Sequence, residues 1–132
     1  MELKALGSGN TNYQYNFPDA SLLERFPSPF EKVVGTLHIV CPEFTSLCPK
    51  TGQPDFATIV IDYQPNLFCV ESKSLKLYLM SFRNHGEFHE GCINRIANDL
   101  IVLLDPMWIK VVGKFTPRGG IPFHPTAEYY RK

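Results

Sequence analysis

An α+β fold, with two helices laid on one face of an antiparallel sheet in the order β-β-α-α-β-β, is predicted by three features of the sequence. Two early segments are β-branched, and the second alternates apolar and polar residues at the period of a strand. Two central segments repeat apolar residues at helical spacing. Two late segments, parted by Gly119-Gly120, are again strand-like. No internal repeat or low-complexity linker interrupts this order.

Each element follows from its residues. Residues 1–32 have no sustained period and contain Pro18, Pro27 and Pro29, so they read as an extended arm with one helical turn around "DASLLERF". "KVVGTLHIVCPEF", Lys32 to Phe44, is the first strand. "DFATIVIDYQP" sets Phe56, Thr58, Val60 and Asp62 against Ala57, Ile59, Ile61 and Tyr63, and forms a second strand antiparallel to the first. Ser72 is the expected N-cap of "KSLKLYLMSFRN", whose stripe of Leu75, Leu79 and Phe82 faces the core. After "HGEF" a second helix carries Ile93, Ile96, Ala97, Leu100, Leu103 and Leu104 on one face and stops at Asp105-Pro106. "MWIKVVGKFTP" is the third strand and the proline-interrupted "IPFHPTAEYY" the fourth. Such a sheet has two open edges, and joining them to neighbouring subunits in a ring would remove that liability.

With 132 residues the chain has the size of one domain, 1–132, of which residues 1–30 form the arm; an apolar content of 44% is enough for a core. The formal net charge is zero, with no basic run or acidic tail, which argues against nucleic acid or an anionic membrane as partner. Runs such as "LIVLL" are too short to span a bilayer, and "MELKALGSGN" lacks the apolar stretch of a secretory signal, so a cytoplasmic protein is expected. In that compartment Cys41, Cys48, Cys69 and Cys92 are expected as thiols rather than a disulfide framework. Without any CxxC pair, and with only the HxxC of His89 and Cys92, no metal is expected.

The chemistry-bearing residues lie in four places. In "FTSLCPKTGQPDFA", Cys48 is followed by Pro49, Gly52 and Pro54, which forbid a continuous helix and favour a chain that doubles back. That loop can present the thiol and Asp55 to one cleft. There a stabilised thiolate would be a nucleophile, and a partly desolvated Asp55 could hold a proton and act as an acid. In "ESKSLKLYL", Lys73 and Lys76 share a helix face in the first turns, where the dipole disfavours cations. They are either solvated surface lysines, with Glu71 offsetting one charge, or the walls of a phosphate site. In "FHEGC", Glu90 is either a first-turn capping residue or a carboxylate able to accept the N–H/NH₂ edge of a guanine-like base. In "TPRGG", Arg118 on a glycine turn either points to solvent or reaches a phosphate in a cleft. "GSGN", residues 7–10, precedes no strand–helix unit and is not a dinucleotide fingerprint.

Taken in chain order, "FTSLCPKTGQPDFA", "ESKSLKLYLMSFRNHGEFHEGC" and "KFTPRGG" resemble the short, single-module form of the 7-cyano-7-deazaguanine reductases, NADPH-dependent nitrile reductases of queuosine biosynthesis. The likeness runs over roughly residues 30–125. It implies the tunnelling fold, in which ββααββ subunits close into rings, often a decamer of two stacked pentamers. By the same resemblance Cys48 would attack the nitrile carbon to form a covalent thioimide. Asp55 would protonate the nitrogen with His89 assisting. Glu90, with Glu71 and Ser72, would bind the deazaguanine, and Lys73, Lys76 and Arg118 would bind the phosphates of NADPH. Cys92 matches a family position able to form a disulfide with the nucleophile under oxidation. Other readings on this fold are an amidinotransferase acting on the same nitrile, a zinc-dependent cyclohydrolase and a non-catalytic purine-binding ring. The first generally lacks the lysine motif found here. The second needs a ligand set that is absent from the sequence, and the third predicts no covalent adduct.

Overall fold

The computed structural model describes Leu3 and residues 12–132; the "GSGN" stretch lies outside them. Six strands and two helices follow in the order β1 (Arg25–Pro27), β2 (Leu37–Leu47), β3 (Pro54–Gln64), β4 (Phe68–Val70), α1 (Ser72–Met80), α2 (His89–Leu104), β5 (Trp108–Phe115) and β6 (Thr126–Tyr130). The main sheet is antiparallel with order β2-β3-β5-β6, so the expected ββααββ frame is present. The arm holds more than one helical turn. Its short 3-10 helix, Ala20–Leu22, is capped by the Asp19 carboxylate, and β1 pairs with β4 in a separate two-stranded ribbon. Three-residue strands carry too little period to be seen in a sequence.

The inner face of the sheet is set by alternation. On β3, Ala57, Ile59, Ile61 and Tyr63 are buried, whereas Phe56, Thr58, Val60 and Asp62 point outward. The register places Ile39, Ile61, Val111 and Ala127 in one row beneath the helices, and fully burying an aliphatic side chain in such a row contributes about 1.5–3 kcal/mol. The helical stripe of Leu75, Leu79 and Phe82 is buried as expected, with Tyr78 beside it donating to Asp99 of α2 at 2.6 Å. Gly113 lets α2 approach β5, since a Cβ there would stand 2.5 Å from the end of Ile93.

Several boundaries differ from expectation for local reasons. The first strand runs 37–47 rather than 32–44: Lys32 has φ 63, and a bulge lies between Cys41 and Phe44. The first helix stops at Met80, where the Ser81 hydroxyl turns back onto the Tyr78 carbonyl. Its N-cap is Glu71, not Ser72, which is the first helical residue. The last strand begins only at Thr126, because Pro122 and Pro125 cannot donate to the ladder. Their segment still runs alongside β5, its Phe123 and Pro125 carbonyls accepting from Phe115 and Gly113. The second helix ends at Asp105, left-handed at φ 42 before Pro106. Among the described residues no helix is long and apolar enough to cross a membrane.

Candidate active site

Between β2 and β3 the chain turns tightly. The Cys48 N–H donates to the Gln53 carbonyl at 2.8 Å and the Gly52 N–H to the Cys48 carbonyl at 2.9 Å, with Gly52 left-handed at φ 72. The proline- and glycine-rich sequence is what permits this ring of bonds, and it leaves the Cys48 side chain half-buried at a cleft mouth. A hydrogen bond with the Thr51 side chain lowers the Cys48 thiol below its ordinary value. Backbone bonds from Thr51 and Lys50 add to this, desolvation opposes it, and the charge of Arg118 adds the smallest share of the lowering. Thr51 is absent from the sequence prediction, although its place three residues after the cysteine in a turn was a usable signal.

Asp55 stands at the start of β3, opposite Ser46 in the register, and points inward with 5% of its side chain exposed. The end of β2 also docks the segment that precedes α2. The Leu47 N–H donates to the His85 carbonyl at 2.9 Å, and the Glu87 N–H returns to the Leu47 carbonyl at 3.1 Å. Glu87 braces this segment through His85 Nε2 at 3.1 Å and a two-bond pairing with Arg95. As a result His89, the first residue of α2, comes to the Cys48 loop, with Nε2 at 3.3 Å from Asp55 Oδ2. Its ring stacks on Phe115 at 3.9 Å between centroids and 7° between planes, which fixes its orientation. Arg118, in the turn between β5 and β6, pairs with the other oxygen, Asp55 Oδ1.

These residues enclose a cleft of about 290 Å³ lined by Cys48, Asp55, His89, Glu90, Arg118 and Phe123, among others. Glu90 is exposed in the first turn of α2, where the helix end favours a carboxylate, and no side chain caps that helix. Cys48, Asp55, His89 and Glu90 thus line one cleft. Arg118, expected at cofactor phosphates, is found with its guanidinium on Asp55.

The remaining four candidates lie elsewhere. The Glu71 carboxylate is buried and accepts from the Lys73 and Ser74 N–H groups at 2.9 and 2.8 Å. The backbone donors expected to share a phosphate with Lys73 and Lys76 are therefore occupied from within the chain. Ser72 and Lys76 line a second, larger groove of about 610 Å³ between α1 and the inner face of β2, with Leu37, Ile39, Leu75 and Leu79. The Lys76 Nζ lies 5.5 Å over the Tyr13 ring. None of Glu71, Ser72, Lys73 and Lys76 lines the Cys48 cleft. The described cysteines are free thiols; Cys92 is fully buried, and burial raises its thiol to about 12. Among the described residues no three His, Cys, Asp or Glu side chains group as metal ligands.

The domain is an antiparallel α+β fold with a thiol, Cys48, lining the same cleft as the Asp55–His89 pair. Residues 54–132 match the sequence profile of QueF-like proteins. The chain is 60% identical over 124 residues to the NADPH-dependent 7-cyano-7-deazaguanine reductase of Bacillus licheniformis, covering 94% of this chain and 74% of that protein. It is 55% identical over 130 residues to the protein of the same name from Streptococcus mutans, covering 98% and 80%. With that of Neisseria gonorrhoeae it shares 57% over 127 residues, covering 96% and 80%. Among solved structures, the apo archaeosine synthase QueF-Like superposes with a TM-score of 0.68 at 20% identity, over 74% of this chain and 95% of that one, which shows the shared fold. The chain belongs to the QueF-like family.

Proposed function

We infer that this chain is an NADPH-dependent oxidoreductase that reduces the nitrile of 7-cyano-7-deazaguanine to the aminomethyl group, a step in queuosine biosynthesis. The observation that carries the reading is the Cys48 thiol, lowered below its ordinary value and facing a cleft that also holds Asp55 and His89. Relatives 55–60% identical to it over the aligned residues bear the name of that activity.

The residues divide the work as follows. The Cys48 thiolate adds to the nitrile carbon; a C–S bond forms and one C–N π bond breaks. The electron pair released on nitrogen takes a proton from the Asp55–His89 pair, giving a neutral thioimide on Cys48. Glu90, exposed at the cleft rim, accepts the paired N–H donors of the deazaguanine. NADPH, when bound, supplies hydride. Two hydrides and two protons convert nitrile to amine, and the thiolate is released. Covalent attachment holds the half-reduced substrate while one oxidised cofactor leaves.

Lys73 and Lys76 fit the phosphates of NADPH in charge, and Lys76 is exposed at the edge of the large groove. They begin α1, outside the Cys48 cleft of the same chain, so a neighbouring copy would bring them, with Ser72 and the Glu71 turn, to that cleft. Two features support a cyclic assembly, read as a decamer of two pentameric rings. Among the described residues, β2 and β6 end the sheet with unpaired edges. A row of polar and charged side chains also crosses the outer face from His38 and Asp62 to Lys110 and Glu128 and reaches both edge strands. The chain should consume two NADPH per nitrile when supplied with 7-cyano-7-deazaguanine. Nitrile-dependent amidine formation without NADPH loss would transfer it to the amidinotransferase reading.

A further inference from the structure

We propose that Arg118 is a positioning residue for the thiol half of the reaction, in place before any cofactor arrives: it pins Asp55 and sets a fixed positive charge facing Cys48. This rests on the nitrile-reductase reading above. The guanidinium is committed on three sides. It pairs with Asp55 Oδ1, and it donates to Gln53 Oε1 and the Pro54 carbonyl, each at 3.3 Å. Gln53 and Pro54 belong to the short connection between Cys48 and Asp55, so one side chain ties the thiol loop to the acid strand.

Its base is equally constrained. Arg118 and Ile121 exchange both backbone hydrogen bonds, at 3.2 and 3.0 Å, around Gly119 and Gly120 at φ 58 and 77. Two central residues of positive φ make a tight hairpin turn rather than a loose one. The two oxygens of Asp55 are thereby held by different partners, Oδ1 by Arg118 and Oδ2 by His89, and the carboxylate cannot turn away from the cleft. The groups facing this pair are His89, Glu90 and, deeper, Cys92 from α2, Lys50 and Thr51 from the thiol loop, and Arg118 from the β5–β6 turn. Of these, Arg118 is the fixed cation whose charge acts on the Cys48 sulfur. A residue serving only a phosphate would need none of these internal acceptors.

The test compares wild type, Arg118→Ala and Arg118→Lys without NADPH. Alkylation of Cys48 by iodoacetamide, followed on its peptide from about pH 5 to 9, reports thiolate. Arg118→Ala should move the rise in rate to slightly higher pH and slow alkylation near neutrality by about twofold, and Arg118→Lys should restore most of the loss. Adduct formation with the nitrile should slow on the order of tenfold in Arg118→Ala and recover in part in Arg118→Lys. An Arg118→Ala protein with wild-type alkylation and adduct rates but a raised NADPH requirement would overturn the proposal and return Arg118 to the cofactor alone. If wild type itself adds no nitrile, the reductase reading fails, while the alkylation profile still decides the role of Arg118.

Discussion

Two cavities among the described residues are opposites. The larger, about 610 Å³, is walled by aliphatic and aromatic side chains with cations at its edge. The smaller, about 290 Å³, gathers a thiol, two carboxylates, an imidazole and a guanidinium. Size and apolar lining are a reasonable first guide to a ligand site. Here the groups that can form and break bonds lie in the smaller one. The larger exists because α1 covers only part of the inner face of β2, leaving Leu37 and Ile39 half-buried. Of the residues that the family resemblance joins into one site, Cys48, Asp55, His89, Glu90 and Arg118 line the smaller cavity, Ser72 and Lys76 line the larger, and Glu71 and Lys73 line neither. In the proposed function, a neighbouring copy would bring the residues at the start of α1 to the Cys48 cleft.

Replacing the nucleophile breaks this comparison most severely. Cys48→Ala should abolish turnover and covalent capture while NADPH binding persists, as read by stopped-flow absorbance and cofactor titration. Asp55→Asn should slow turnover by about 10²–10⁴-fold, since the proton source is lost but the thiol remains; a change in KM alone would make Asp55 a binding group. Replacing Lys73 and Lys76 together with Ala should raise the NADPH KM on the order of tenfold, leaving adduct formation near wild type. The opposite pattern would assign those lysines to the nitrile substrate. The smallest effect is on stability. Glu71→Ala removes the cap of α1 and should cost about 1–2 kcal/mol, seen as a lower Tm. If Tm holds while nitrile affinity falls, Glu71 serves substrate rather than the helix.

The frame of the fold was legible because its longer elements carry strong periods: Ala57 to Tyr63 alternate, and Leu75, Leu79 and Phe82 fall on one helix face. The ribbon of β1 and β4 was not, since three residues hold no period and their pairing spans over forty positions, Arg25 to Val70. The cap of α1 was misplaced by one residue because a serine is the commoner signal. Here Ser72 is the first helical residue, and the Glu71 carboxylate caps by accepting from the Lys73 and Ser74 N–H groups. In the site, residue types pointed to Cys48, Asp55 and Glu90, and the family resemblance added His89. The pairing of Arg118 with Asp55 was hidden because it joins turns 63 residues apart whose meeting depends on the β3–β5 register.

The central claim is that the Cys48 sulfur is nucleophilic toward a carbon–nitrogen triple bond held beside Asp55. Its most direct test is mass spectrometry of the wild-type protein mixed with 7-cyano-7-deazaguanine in the absence of NADPH. The account predicts one added ligand mass on the peptide containing Cys48, lost in Cys48→Ala. An unmodified Cys48 peptide from a protein that still reduces the nitrile would contradict it.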